Sequence, residues 1–427
     1  MGLFSGLGRM FNRGSAQEAP APRPLPYDRK DLAAHLAPQG RKRILALDGG
    51  GVRGAMSIAV LERIEALLRA RHGGHPDFRL ADYFDLIGGT STGSIIAAGL
   101  VAKRMTASDI AAMYDELAAD VFRGSITRVI GLRYKFDARN LRRQLDRVFG
   151  DAVLGDPALS TGYAAVAKRI DTVSPWVMHN NPRGRFFDDP PDRAYLGNKN
   201  YRLTGVIRAS TAAPIYFQPE RIEIAPGEYG EFVDGGLTPH NNPAFQLLML
   251  AGLKGHNFGW TLDSEHLLMT SIGTGSLIGK GEVSGGLLGW APGKKAIEAL
   301  TSMISSSEDY IELLMQWASE SVDPAMIDSE IGDLAGDMIG GAPLLTYQRY
   351  QSRLSRSYLR SELGLDLSER DIKIVRDMTN PNAVPIAREI GLAMAERFVR
   401  EEHFPERFNL EAETPQQRPN VDENPSG

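Results

Sequence analysis

One serine lies in a sequence pattern that can make a hydroxyl reactive. Ser91 stands between Gly89 and Gly93 in the segment GTSTG, which has G-x-S-x-G spacing. In this pattern the serine occupies a tight turn from a strand into a helix, and the glycines leave room for the turn. The helix N-terminus presents backbone N–H groups that favour negative charge. Ser91 is therefore a candidate nucleophile, and a glycine-rich turn capped by Ser or Thr is the alternative without chemistry.

A second segment, DGGGVRG at residues 48–54, offers backbone donors. Successive glycines let the chain approach a ligand, and their N–H groups can form a nest for an oxyanion. The candidate donors lie between Asp48 and Gly54 and are Gly49, Gly50, Gly51, Val52 and Arg53. We expect the Arg53 side chain to hold this loop through hydrogen bonds to carbonyl groups; a contact with a phosphate head group is the alternative.

The same glycines also fit a dinucleotide-binding fingerprint, because Gly49, Gly51 and Gly54 have G-x-G-x-x-G spacing. That fingerprint requires an acidic residue about 20 positions further on, at the end of a second strand. The candidate is Asp77, but it lies in RHGGHPDFR, a sequence typical of a loop. The dinucleotide interpretation is therefore the weaker one.

A carboxylate completes a hydrolytic set. Asp234 ends the apolar run EFV and precedes Gly235 and Gly236. At a strand end, a carboxylate can lie close enough to a neighbouring turn to act as a base toward a serine. An Asp-Gly hairpin turn is the structural alternative. A second chemical alternative is a Ser-His-Asp triad that uses His240, which leaves the DGGGVRG segment unexplained.

Composition excludes several classes of protein. The 427 residues are 42% hydrophobic and 24% charged, as in ordinary soluble globular chains, and the net charge of −5 provides no basic field for a nucleic acid polymer. The chain has no cysteine, which excludes disulfides, thiolate nucleophiles and Cys-ligated metals. Aspartates such as Asp48, Asp82 and Asp85 lack the ligand spacing of a calcium loop, so we predict no metal.

No segment has the length and apolarity of a membrane-spanning helix. The N-terminal residues lack the features of a secretory signal, and we expect a cytoplasmic protein. Several apolar residues near the N-terminus, including Leu3, Phe4 and Leu7, have helical spacing, which suits a short segment in contact with a membrane surface, although three nearby glycines weaken such a helix.

Strand and helix patterns alternate through the first half of the chain. Strands are predicted at residues 43–48, at 82–89 and in YRLTGVIRAS, GEFVDGG and HLLMTSIGTG; helices are predicted at 57–71 and 94–103. This order predicts an α/β fold with a mainly parallel central sheet covered on both faces. Long helical patterns follow, at 294–320 and 385–400. The predicted organisation is a flexible, proline-rich N-terminus (1–29), a catalytic domain (41–290), a helical C-terminal region (291–408) and a disordered tail (409–427).

The segments DGGGVRG, GTSTG and DGG, together with RASTAAPIYFQP at 208–219 and the NNP that begins at 241, resemble the patatin-like phospholipase family. The resemblance covers about residues 41–250. It implies a three-layer α/β/α fold in which Ser91 is the nucleophile, Asp234 is the other member of a Ser-Asp dyad, and the loop at Gly49–Arg53 is the oxyanion hole. Asp48, Gly54, Gly89, Gly93, Gly235 and Gly236 would support these motifs.

The resemblance implies a serine hydrolase that cleaves carboxylic esters of phospholipids or lysophospholipids through an acyl-enzyme, without a cofactor. It also implies peripheral membrane contact. Some relatives are inactive until a partner or a small nucleotide binds, so an activator or an oligomer is compatible with the resemblance, and the region 291–408 is a candidate regulatory element. A non-enzymatic protein that retains the fold is the alternative from another class.

Overall fold

The computed structural model describes residues 25–122, 136–277 and 292–411. The predicted amphipathic N-terminal segment, most of the proline-rich linker and most of the polar tail lie outside these residues. Tyr27, within the segment predicted to be flexible, is buried, and its hydroxyl donates a 3.0 Å hydrogen bond to Asp82. Leu410, in the predicted tail, donates its N–H to His72 Nε2 at 3.0 Å. Tyr27 and Leu410 therefore make packed contacts with the rest of the described chain, although both lie in segments predicted to be flexible or disordered.

Eight strands form one sheet among the described residues. They are Lys42–Leu47 (β1), Leu86–Thr90 (β2), Gly162–Arg169 (β3), Ser174–His179 (β4), Glu220–Ala225 (β5), Glu228–Asp234 (β6), Leu267–Ile272 (β7) and Thr346–Tyr350 (β8). The order is β5-β6-β3-β2-β1-β7-β8, and β4 also pairs with β3. The pairs β3-β2, β2-β1, β1-β7 and β7-β8 are parallel, whereas β4, β5 and β6 pair antiparallel. The mainly parallel sheet is confirmed, with an antiparallel extension at one edge.

Helices cover both faces of the sheet. They are Leu32–Leu36 (α1), Gly54–Arg71 (α2), Leu80–Tyr83 (α3), Thr92–Ala102 (α4), Ala107–Phe122 (α5), Ala138–Phe149 (α6), Leu203–Thr211 (α7), Ala244–Gly252 (α8), Pro292–Trp317 (α9), Arg356–Leu363 (α10), Glu369–Arg376 (α11) and Ala383–Phe398 (α12). Side chains of β1 alternate between two apolar cores, with Leu45 and Leu47 in one and Ile44 and Ala46 in the other. Since successive strand residues point to opposite faces, this alternation defines the three-layer α/β/α arrangement.

The C-terminal region packs directly on the strands and helices of the first half. Helix α12 lies against α2, and Gly391 allows close approach because a Cβ there would overlap the Met56 backbone. Arg388 and Glu62 join the two helices by a 2.9 Å ion pair. The region is helical, as predicted, but it also contributes β8, a strand that the periodicity did not indicate. The last strand of the sheet therefore comes from sequence outside the predicted catalytic domain.

Two strand predictions need correction. YRLTGVIRAS was predicted to be a strand, but all of it from Leu203 onward lies in α7, because Leu203, Val206, Ile207 and Ser210 lie at helical spacing and pack toward the core. The strand predicted to begin at residue 82 begins at Leu86, after the short helix α3. In the part of the chain that is described, no helix combines the length and apolarity needed to cross a bilayer.

Candidate active site

The sheet register brings the three sequence motifs together. Strands β1 and β2 run parallel with Leu47 opposite Gly89, so the residues that follow them emerge at the same edge. Strand β3 pairs on one side with β2, with Val166 opposite Thr90, and it also pairs with β6, with Ala167 opposite Asp234. Ser91 and Asp234, 143 positions apart, therefore meet at the carboxyl ends of the parallel strands, where α/β sheets bind ligands.

Ser91 occupies a strained turn between β2 and α4. Its backbone has φ 51° and ψ −122°, a conformation that residues with side chains rarely adopt. The Ser91 N–H donates to Ser210 Oγ at 2.9 Å, and the Ser210 hydroxyl donates to the Val166 carbonyl at 2.6 Å. Gly89 and Gly93 are needed because a Cβ at either would overlap neighbouring backbone. The turn thus presents the Ser91 hydroxyl at the start of a buried helix.

Asp234 is buried and lies within hydrogen-bonding distance of Ser91. The Ser91 hydroxyl donates to Asp234 Oδ2 at 2.6 Å, and the Gly236 N–H donates to Oδ1 at 2.8 Å. Burial raises the pKa of Asp234 to about 6, although the hydrogen bonds from Ser91 and Gly236 and the charge of Arg208 act in the opposite direction. A carboxylate with this pKa can accept a proton from the serine near neutral pH.

Asp234 does not lie in a hairpin turn. The chain continues from β6 into a 3₁₀ turn, Gly235–Leu237. Gly235 is required there because a Cβ would overlap the Val166 carbonyl. The turn therefore holds the carboxylate against β3, beside Ser91, and does not reverse the chain into a new strand.

The glycine loop, residues 48–54, runs beside Ser91, and its donors are not equivalent. The N–H of Gly49 donates to the Asn241 carbonyl at 3.1 Å, that of Val52 donates to the Met378 carbonyl at 2.9 Å, and that of Arg53 donates to the Gly50 carbonyl at 3.2 Å. Gly50 and Gly51 line the same cavity as Ser91 and Asp234. Of the five predicted donors, only these two glycines combine access to the cavity with an N–H that has no acceptor among the described residues.

Carbonyl groups of the glycine loop are also fixed by neighbouring side chains. The Gly49 carbonyl accepts hydrogen bonds from Thr274 Oγ1 at 2.7 Å and from Asn241 Nδ2 at 3.3 Å. The Gly51 carbonyl accepts from Thr92 Oγ1 at 2.9 Å and from the Tyr114 hydroxyl. The loop therefore has a defined conformation before any ligand binds.

Arg53 does not hold the loop in the way that the sequence suggested. Its side chain is buried behind the loop, and its Nε and Nη1 have no hydrogen-bond partner among the described residues. Burial lowers the pKa of the Arg53 guanidinium, while the nearby acidic groups of Glu308, Asp377 and Asp48 act in the opposite direction. Asp48, the first residue of the loop, pairs with Arg349, while Gly54 allows Thr92 and Tyr114 to pack closely.

A largely apolar cavity of about 1070 Å³, open mouth included, extends from Ser91. Its walls come from both halves of the chain and include the apolar residues Ile95, Leu117, Val121, Leu141, Ile215, Phe217 and Ile304. Few polar groups reach it apart from those around Ser91. A cavity of this size and character suits a long apolar group attached to a single polar reacting centre.

The residues of the alternative site interpretations do not form a second catalytic, nucleotide-binding or metal-binding arrangement among the described residues. His240 is buried, and burial lowers the pKa of its imidazole. Its Nδ1 has no hydrogen-bond partner among the described residues. Its backbone carbonyl accepts a 2.6 Å hydrogen bond from Thr90 Oγ1. Asp77 lies in a turn, as expected, and its N–H donates to His75 Nδ1. Asp82 pairs with Arg29 and Arg104, and Asp85 with Arg43 and Lys30. The described residues contain no cluster of three metal-ligating side chains.

Several residues that build the site were not found from the sequence. Ser210 lies in α7, which had been read as a strand, and Asn241 was noted only as part of a family-like stretch. Thr274 follows β7, while Glu308 and Arg349 come from α9 and β8. The last three lie outside residues 41–250, to which the motifs pointed. No local pattern marks them, because each acts through a contact that is distant in sequence.

Comparison with known proteins finds sequences similar to this chain. The family model for patatin-like phospholipases matches residues 45–248. A "cGAMP-activated phospholipase" of Escherichia coli is 27% identical over 288 residues, which cover 65% of this chain and 76% of that protein. A protein of the same name from Pseudomonas aeruginosa is 32% identical over 199 residues, 46% of this chain and 52% of that protein. Patatin group J-1 of Solanum tuberosum is 28% identical over 294 residues, 64% and 72% of the two chains.

The matched range begins in β1 and ends in α8, so it contains the glycine loop, Ser91 and Asp234. The fold is the α/β arrangement that the sequence motifs implied. Residues 45–248 therefore match the patatin-like phospholipase family, to whose members the chain is similar.

Proposed function

We propose that this protein is a serine hydrolase that cleaves carboxylic ester bonds of glycerophospholipids or lysophospholipids. The observation that carries the proposal is the 2.6 Å hydrogen bond from Ser91 Oγ to the buried carboxylate of Asp234, at the polar end of an apolar cavity. The match to the patatin-like phospholipase family supports a lipid substrate. No cofactor enters the proposed reaction.

In the proposed mechanism, Asp234 accepts the Ser91 proton as Oγ attacks the ester carbonyl carbon. The carbonyl oxygen becomes an oxyanion, which the N–H groups of Gly50 and Gly51 stabilise. The intermediate collapses to an acyl-enzyme, and the alcohol leaves with the proton from Asp234. Water then attacks the acyl-enzyme and gives its proton to Asp234, and the fatty acid is released as Ser91 recovers its hydrogen.

The cavity provides the proposed acyl-chain site. Its aliphatic and aromatic lining would take an acyl chain out of water, which is favourable by roughly 0.8 kcal/mol for each buried CH₂ group. A substrate drawn from a bilayer requires at least transient contact between the cavity mouth and the membrane surface. Peripheral membrane contact is therefore part of the proposal.

Two of the relatives are named for activation by cGAMP. We include activation by cGAMP as a hypothesis for this chain. A second hypothesis is that the chain forms an oligomer, with which the family resemblance is compatible. Activity should accordingly be measured with and without cGAMP, and the oligomeric state should be recorded under both conditions.

The Ser-Asp dyad is favoured over a Ser-His-Asp triad because the Ser91 hydroxyl donates directly to Asp234, whereas the His240 ring bonds to neither residue. A non-enzymatic protein with this fold would have no requirement for a strained serine beside a buried carboxylate. Covalent labelling by a fluorophosphonate separates that alternative, since it reports an activated serine whatever the substrate.

The decisive experiment measures free fatty acid released from mixed phospholipid vesicles. We expect wild type to be active and Ser91→Ala and Asp234→Asn to lose at least about a thousandfold in kcat. Ser302→Ala, which changes an exposed serine of α9, is the control and should match wild type. Full activity in Ser91→Ala would refute the proposal, and full activity in Asp234→Asn would refute the dyad. Wild type without activity or labelling, with cGAMP as well as without it, would favour the non-enzymatic alternative.

A further inference from the structure

Buried charged residues from the C-terminal region lie directly behind the glycine loop. We call Asp48, Glu308, Glu312 and Arg349 the brace cluster. Asp48 begins the loop, Glu308 and Glu312 lie one turn apart on α9, and Arg349 lies on β8. The side chains of Arg349 and Glu312 are 5% and 15% exposed, and that of Asp48 is fully buried. Burying several charges is costly unless each is paired. The pairings within the brace cluster therefore indicate which residues hold the glycine loop.

Arg349 fixes the start of the loop. Its Nη2 and Nη1 contact the two Asp48 carboxylate oxygens at 2.6 and 2.9 Å, a bidentate arrangement that restricts the carboxylate in orientation as well as position. Arg349 is itself held, because Nη1 also donates to Ser271 Oγ at 2.7 Å and Nε pairs with Glu312 Oε2 at 3.1 Å. The Tyr347 hydroxyl donates to the same Glu312 oxygen at 2.8 Å.

Glu308 fixes the next residue of the loop through Asn241. The Asn241 Nδ2 group donates to Glu308 Oε1 and also to the Gly49 carbonyl, at 3.3 Å. The Asn241 backbone carbonyl accepts the Gly49 N–H at 3.1 Å. Asn241 therefore contacts both polar groups of Gly49, and Glu308 sets the orientation of its amide.

The residues immediately after Gly49 are Gly50 and Gly51, which line the cavity and whose N–H groups have no acceptor among the described residues. Oxyanion stabilisation depends on donors that are already oriented before the reaction, and small displacements of such donors reduce the rate strongly. We propose that Glu308 and Arg349 are positioning residues, which hold the glycine loop through Asn241 and Asp48 so that the Gly50 and Gly51 N–H groups point at the developing oxyanion. This inference rests on the proposed function of Ser91 and deepens it.

The charge state of Glu308 fits this role. Burial, followed by the nearby Asp48 carboxylate, raises the pKa of Glu308 to about 8, while Arg349, Arg53 and the hydrogen bond from Asn241 act in the opposite direction. The raised pKa favours the neutral carboxyl group, and Oε1 accepts the Asn241 amide in either protonation state. Glutamine has the same length and the same carbonyl oxygen, so Glu308→Gln should preserve the contact.

Substitution of Glu308 by aspartate should break the contact that Glu308→Gln preserves, with little change in side-chain volume. Glu308→Asp retains a carboxyl group but shortens the side chain by one methylene, so its oxygens no longer reach Asn241. We expect Glu308→Asp to lower kcat by about tenfold to a hundredfold toward a water-soluble p-nitrophenyl ester, with KM within about twofold of wild type. Glu308→Gln should keep kcat within about threefold, and Ser306→Ala, an exposed position on the same helix, should match wild type.

The rate is expressed per reactive serine, counted by complete fluorophosphonate labelling, so that a variant that is merely less stable does not appear slower. A Glu308→Asp variant with wild-type kcat would overturn the inference. Equal losses of kcat in Glu308→Asp and Glu308→Gln would also overturn it, because Gln keeps the carbonyl oxygen that contacts Asn241 and Asp does not reach it. Ser91→Ala is assayed in parallel. If it retains activity, the proposed function fails; if it is inactive while Glu308→Asp is unimpaired, only the positioning inference fails.

Discussion

At the scale of single residues, the environment of Asp234 combines two opposing requirements. The carboxyl group must be ionised to accept a proton from Ser91, yet burial favours its neutral form. The donors that offset burial are the Ser91 hydroxyl, the Gly236 N–H and, at longer range, the Arg208 cation. The result is a base whose pKa of about 6 is closer to neutrality than that of an ordinary aspartate. Such a base is mainly ionised at pH 7 and still has an appreciable affinity for the proton.

The pH dependence of the rate follows from this pKa. If Asp234 is the base, kcat/KM falls about tenfold for each pH unit well below the pKa of about 6, and it reaches a plateau above about pH 7. The profile should be measured with a soluble ester from pH 4.5 to 8, with circular dichroism at each pH to show that the fold is retained. The value of kcat/KM rises with pH because only the deprotonated Asp234 carboxylate can accept the Ser91 proton.

His240 provides the comparison for this profile. Burial lowers the pKa of His240, so a profile governed by this histidine would also rise with pH. Its Nδ1 has no partner among the described residues. We expect His240→Gln to leave the midpoint unchanged; a midpoint that moves or disappears in this variant would contradict Asp234 as the only base.

At the scale of elements, the turn after β1 and the turn after β2 depend on each other. Gly93, at the start of α4, has no room for a Cβ because the Leu47 carbonyl at the end of β1 lies against it. In turn, the Thr92 hydroxyl donates to the Gly51 carbonyl. The first turn of α4 is thus packed against the glycine loop, so the proposed nucleophile and the proposed oxyanion donors form one unit.

A substitution at Gly51 tests whether activity depends on the geometry of the glycine loop. It has φ +56°, and a Cβ there would overlap the Met378 carbonyl, which accepts the Val52 N–H. Gly51→Ala should therefore displace the loop and lower kcat by about a hundredfold, the order found when one oxyanion donor is removed. Gly74 is a matched control, because it has φ +68° but open space around its Cβ position.

Both alanine variants should lose roughly 1–2 kcal/mol of unfolding free energy from left-handed strain, and Gly51→Ala should lose more because its Cβ also meets the Met378 carbonyl. Urea denaturation measures both losses. Only Gly51→Ala should lose activity. An active Gly51→Ala would mean that the loop geometry is not critical, whereas an inactive Gly74→Ala would mean that backbone strain alone accounts for the loss.

At the scale of the whole molecule, the proposed acyl-chain cavity lies between the family domain and the C-terminal region. Ile95 and Leu117 come from α4 and α5, whereas Thr301 and Ile304 come from α9, and Met378 and Thr379 follow α11. Residues outside the matched range 45–248 therefore form part of the wall. If the proposed function holds, patatin-like proteins that differ from this chain after α8 should differ in the length of acyl chain that they accept.

Ile304 allows that expectation to be tested within this chain. Ile304→Trp adds bulk to the cavity wall at a partly exposed position, so it should reduce kcat/KM for long-chain p-nitrophenyl esters by about tenfold or more, with little effect on the butyrate. Met303→Trp is the control, because Met303 is 68% exposed on the same helix and does not line the cavity. Equal loss for short and long esters would show that this wall does not determine chain length.

Sequence reasoning succeeded where the signal is local. The periodicity of Gly54–Arg71 and Thr92–Ala102 and the apolar runs at Lys42–Leu47 and Leu267–Ile272 indicated the elements that form there. The strand prediction for α7, which rested on a short apolar run, was wrong because the same residues pack against the core as a helix. Sequence reasoning also did not find β8, whose five residues become a strand by pairing with β7.

What the sequence determined by itself is the chemistry of the motifs: a serine in a tight turn, a glycine-rich loop and a carboxylate at a strand end, each encoded by neighbouring residues whose backbone geometry is local. Tertiary structure alone decided which of these groups meet and which donors remain available. The Ser91-Asp234 distance depends on the register of β2, β3 and β6. The contacts of Glu308 and Arg349 depend on how α9 and β8 pack against the loop. Such contacts join residues 67 to 301 positions apart, and only the topology of the folded chain specifies them.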